Sequence, residues 1–88
     1  MIMETKVAEL YHDYINNDLV AQGWTVEQVL PHGYTLTDVA GQTVFVSCHI
    51  EQYLNHDRYS VFMKIGTDLA PVGTVAKLDG QWQIFKLD

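Results

Sequence analysis

The chain has 88 residues, which suits a single domain spanning residues 1–88 and is too short for two. At 48% apolar and 18% charged, it has the composition of a protein with a core and not of a disordered segment. Eleven acids against five bases give a formal charge of −6, and Lys6, Arg58, Lys64, Lys77 and Lys86 are scattered, which argues against nucleic-acid and anionic-membrane partners.

No run approaches the roughly 18 apolar residues of a membrane span. Met1–Lys6 lacks the basic and apolar regions of a secretion signal. The single cysteine, Cys48, cannot form an internal disulfide, so the expected compartment is the reducing cytoplasm.

From Met3 to about Gln22, Val7, Leu10, Tyr11, Tyr14, Ile15 and Leu19 recur at helical spacing and predict an amphipathic helix stopped by Gly23. Asn16-Asn17-Asp18 is its weak point, three poor helix formers where the helix is expected to bend or end. For Trp24–Leu30, the Thr25…Gln28 capping spacing and the closing Pro31 favour a short second helix, although Trp24-Thr25-Val26 also fits the opening of a strand.

Tyr34–Val39 and Gln42–Ile50 read as a hairpin around Ala40-Gly41, and a two-residue loop there sets Leu36 opposite Phe45 and Thr37 opposite Val44. Val44, Val46, Cys48 and Ile50 then share one face, and Phe45, Ser47, His49 and Glu51 the other. A polar connection ending in Asn55-His56-Asp57 leads to Arg58–Ile65, where Tyr59, Val61, Met63 and Ile65 take one face and Phe62 the other. Gly66–Pro71 reads as a loop. Val72–Leu78 and Gln81–Leu87 flank Asp79-Gly80, the strongest hairpin signal in the chain, with Val72, Ala76, Leu78, Phe85 and Leu87 on one side.

The expected fold is α+β: an N-terminal helix, with or without a short second one, on a four-stranded antiparallel meander. In element order alone it resembles the cystatin-like and NTF2-like shapes, and the resemblance implies a curved sheet wrapped on a helix. One helix covers one face of a sheet, and Phe45 and Phe62 lie on the other. A homodimer through that open face is the expected partner arrangement, with a protein or small apolar ligand as alternatives.

Cys48 and His49 point to opposite faces as strand neighbours, and Cys48 sits among apolar residues, so they do not form a thiolate–imidazole pair. His49 and Glu51 share a face and are the candidate catalytic pair for general acid–base chemistry. The expected binding surface is Tyr34, Phe45, His49, Glu51 and Phe62. His12, His32, His49 and His56 lack metal-ligand spacing, and with no phosphate loop or nucleophile elbow no metal or cofactor is expected. The reading that asks for no missing residue is a non-enzymatic binding module. The alternatives are a small enzyme using His49 and Glu51, and an acidic inhibitor or immunity-type protein presenting Asp13, Asp18, Glu27 and Asp38 to a basic partner.

Overall fold

Residues 2–54 and 56–87 are described by the computed structural model, and Asn55 of the predicted polar connection lies outside the described residues. Helix α1, Ile2–Asp13, buries Met3, Val7, Leu10 and Tyr11 along the expected stripe. At Tyr14 the winding widens into a π-helical segment, Tyr14–Leu19. Asn16, Asn17 and Asp18 fall within this wide turn, so the helix continues through them and still buries Ile15 and Leu19. Gly23, at φ +98°, ends it in a conformation that a Cβ disfavours, and the Trp24 N–H bonds back to the Leu19 carbonyl at 3.1 Å.

Six strands follow, each antiparallel to the next: β1 (Thr25–Leu30), β2 (Gly33–Thr37), β3 (Thr43–Gln52), β4 (Arg58–Ile65), β5 (Asp68–Leu78) and β6 (Gln81–Lys86). The α+β class stands, but the sheet has six strands where four were expected. The extended segments read from the sequence number five, one more than the four-stranded count allowed; all five form strands, and Thr25–Leu30 adds a sixth in place of a second helix. A short helix closed by Pro31 gains too few hydrogen bonds to meet its nucleation cost, whereas β2 offers regular pairing from Thr25–Thr37 to Gln28–Tyr34. The Gln28 side chain caps nothing; its Nε2 donates to the Pro31 carbonyl at 3.1 Å, beside a bulge between Gln28 and Leu30.

The β2–β3 register is one residue away from the expected one. Leu36 pairs with Val44 and Thr35 with Phe45. The loop spans five residues because the Asp38 carboxylate accepts from the backbone N–H of Ala40 and of Gln42, both at 2.9 Å, holding Ala40-Gly41 as the tip of a wider turn. The slip turns Leu36 and Tyr34 to the helix side, where both are buried.

Strand β5 likewise begins earlier than expected. Gly66-Thr67 is a two-residue turn with Ile65 paired to Asp68, and only its first central residue, Gly66, has positive φ, as a II′ turn requires. A bulge opposite Val61 and Phe62 absorbs Pro71, which has no N–H for a regular ladder, and it turns Val72 inward to be buried. Val72 therefore leaves the side shared by Ala76, Leu78 and Phe85. Asp79 and Gly80 both have positive φ, the I′ turn that their sequence signals.

Leu10, Tyr11 and Ile15 from the helical rod meet Leu36, Val46, Val61 and Val75 from the sheet, and this contact is the centre of the core. The rod touches both edges of the sheet, β6 through α1 and β1 through the π segment, so the sheet curls around it. Among the described residues no helix lies against the opposite, outer face. None of the described helices is long and apolar enough to cross a membrane.

Candidate functional site

Strand alternation puts Phe45, Ser47, His49 and Glu51 of β3 on the outer face, and cross-strand pairing sets Phe62 directly opposite His49. The two rings lie 5.9 Å apart, and His49 Nε2 is 3.3 Å from Glu51 Oε1. Phe45 leans over Gly33: a Cβ built there would come within 2.7 Å of its Cζ, so the glycine supplies the seat for the ring. Four of the five expected binding residues thus share one surface. Tyr34 does not join them, because the shifted register buries it against the helix.

Toward β6 the outer face holds two neighbouring hollows that share Thr74. One, of about 190 Å³, is bordered by Tyr53, Phe62, Pro71 and Leu87; the other, of about 360 Å³, by Arg58, Ala76, Leu78 and Phe85. The Arg58 guanidinium lies over the Tyr53 ring, 5.2 Å from its centroid. Phe45 is 46% exposed, Leu78 46% and Phe85 44%, which makes this face apolar as well as open. His49 and Glu51 border neither hollow. Their described partners are each other and the Phe62 ring.

A second polar cluster, missed in the sequence, lies at the junction of α1 and the π segment. Here two pairs four residues apart reach opposite sides of the curled sheet. On one side Tyr34 Oη is 2.5 Å from His12 Nδ1; with the imidazole neutral, the phenol donates and Nδ1 accepts. Asn16 Nδ2 donates to the His12 carbonyl at 2.8 Å and to Tyr34 Oη at 3.4 Å. On the other side Asn17 Nδ2 donates to Asp13 Oδ1 at 2.5 Å, and the Asp13 carboxylate is paired with the Lys86 ammonium of β6. Hydrogen bonds from Lys86 and Asn17 hold the Asp13 carboxyl below the usual carboxylate range. The clue was the spacing itself, His12/Asn16 and Asp13/Asn17, where the asparagines read as helix weaknesses act as tethers.

The His32 ring stacks on His12 at 5.7 Å. Burial, and secondarily the nearby His32, push the His12 imidazole below its ordinary 6.5. Since the unfolded chain then takes up the proton first, the stability contributed by neutral His12 is present above pH 6.5 and is lost as pH falls through and below it. Urea midpoints taken from pH 7.5 down to 5 are expected to decrease, and His12→Asn to flatten that decrease. An identical slope in the variant would remove His12 as its source.

Cys48 faces the helix side and, with Glu4, Val7, His32 and Ile50, borders a cleft of about 270 Å³. Burial pushes its thiol up to about 11, which leaves it protonated and a poor nucleophile at neutral pH. Tyr11 is fully buried, and its hydroxyl finds no hydrogen-bond partner among the described residues. Those residues also bring no three His, Cys, Asp or Glu side chains into a metal-binding group. No protein-family model, curated protein or solved structure matches the chain.

Proposed function

We propose that this chain is a non-enzymatic interaction module that associates with a second copy of itself through the outer face of its sheet. The observation that carries the reading is the one-sided cover: the helical rod occupies the concave face, while Phe45, Phe62, Leu78 and Phe85 stand on the other with nothing described against them. Charge supports the same surface. Residues 1–52 hold seven acids and one base, whereas residues 53–88, which include β4, β5 and β6, hold four of each. The apolar face is thus built largely on the electrically balanced part of the chain, where two copies meet without the repulsion that a charge of −6 otherwise imposes. His49 and Glu51 then serve as a hydrogen-bonded pair at the rim. Docking on a basic partner is less well supported, because Asp13 is engaged by Lys86 and Asp38 by the amides of its own loop.

Phe62→Asp places a carboxylate at the centre of the proposed contact and is expected to halve the mass measured by sedimentation or light scattering, with an unchanged far-UV spectrum. A mass unaffected by the substitution would refute the interface.

A further inference from the structure

We infer that the β6 edge is a second self-association site, distinct from the outer face, at which β6 pairs antiparallel with β6 of another copy. The meander leaves two edge strands, and they are treated differently. β1 carries Glu27, a bulge between Gln28 and Leu30, and Pro31 immediately after it, all devices that prevent a further strand from pairing. β6, Gln-Trp-Gln-Ile-Phe-Lys, has no proline, no glycine and an unbroken register with β5 from Gly73–Lys86 to Leu78–Gln81, and its inward-facing Lys86, a residue type that guards edges, is held by Asp13 of the helix.

The phase of the ladder fixes which groups are available. The Leu87 N–H bonds to the Val72 carbonyl at 3.1 Å, and alternation along the same antiparallel pair turns the peptide groups of Phe85, Gln83 and Gln81 toward β5. Trp82, Ile84 and Lys86 therefore aim both N–H and C=O away from the sheet. A second β6 related by a two-fold axis normal to the sheet must pair residues of one face with residues of the same face. Only even registers satisfy this. Centred on Ile84, the pairing sets Ile84 opposite Ile84 and Trp82 opposite Lys86 of the second copy, so all three outward residues find outward partners. Centred on Gln83, it would leave Lys86 opposite Gly80 beyond the strand.

The Ile84 register also avoids any like-charge pair, since Lys86, the one charge of the strand and already paired with Asp13 of its own helix, stands opposite Trp82 of the second copy. On the outer side it sets Phe85 opposite Gln83 and continues the apolar face across both copies. Combined with the outer-face contact, the edge pairing gives a tetramer, on the order of 40 kDa for a 10.0 kDa chain.

Amide hydrogen exchange on the pure protein over a range of concentrations tests the edge. Trp82, Ile84 and Lys86 are expected to gain at least about tenfold protection as concentration rises, whereas Gln81, Gln83 and Phe85 are protected throughout. Phe62→Asp should halve the mass and leave that concentration-dependent protection intact. Ile84→Pro, which removes an outward N–H and not a β5 bond, should abolish it and halve the mass, leaving the face contact in place. If the three amides exchange without protection at every concentration, or are equally protected at all of them, the edge pairing is wrong whatever the fate of the face.

Discussion

Gly73→Ala is expected to lower the unfolding free energy by about 3 kcal/mol, among the largest effects of any single-methyl change in this chain. Gly73 pairs with Val61 on one side and Lys86 on the other, under the helix. A Cβ there would stand 2.6 Å from the Phe85 carbonyl oxygen, 3.0 Å from Leu10 Cδ2 and 3.3 Å from Lys86 Cα. Two of those three atoms are backbone, which no rotamer change can move aside. Relief requires β6 to shift, and β6 is tied to the helix through Lys86 and Asp13. Gly33→Ala is the instructive comparison, because its two closest contacts are the far end of the half-exposed Phe45 ring, which can turn aside, and the third is Leu30 Cβ at 3.1 Å. Its cost should be nearer 1 kcal/mol, within the lower range for overpacking. Equal urea midpoints for the two variants would mean that the helix does not press on β5 as described.

Tyr11 yields a pair of opposite effects. Tyr11→Ala empties the centre of the core and is expected to cost about 3–5 kcal/mol, the usual range for deleting a buried aromatic ring. Tyr11→Phe keeps the ring and removes a hydroxyl that is buried without a partner, so it should stabilise the protein by about 1 kcal/mol. Burial holds the phenol far above its ordinary pKa, so ionisation offers no relief at any moderate pH. Thermal or urea unfolding distinguishes the outcomes, and a Tyr11→Phe variant less stable than the parent would show that the hydroxyl is satisfied in solution.

Much of this fold can be read from local chemistry. Helical spacing from Val7 to Leu19, the Asp79-Gly80 turn, and the alternation of β3 and β4 each follow from a short-range rule that the folded chain obeys. What failed was decided by partners distant in sequence or by a single residue of register. Thr25–Leu30 is too short for periodicity to separate helix from strand, and β2 settles the matter. Asp38 lengthens a loop whose tip, Ala40-Gly41, was correctly seen, and the one-residue slip accounts for both Leu36 and Tyr34. Pro71 marked a loop end in the sequence, but its missing N–H is accommodated by a bulge, which reverses Val72.

The candidate site follows the same division. Phe45, His49, Glu51 and Phe62 share a face because parity within a strand suffices to place them. The cluster of His12, Asn16, Tyr34 and His32 joins the helix to β2 and its leading turn, and no local pattern reports that contact.

Holding the rod to β2 through His12 and Asn16 and to β6 through Asp13 also imposes an order of events. Asp13 emerges early in synthesis, but Lys86 belongs to the last strand. The rod can settle on β2 as soon as the first hairpin exists, yet its anchorage to β6 must wait until nearly all 88 residues have been made. The sheet's curl is therefore closed last, and a chain interrupted before β6 would carry a helix with one flank unattached.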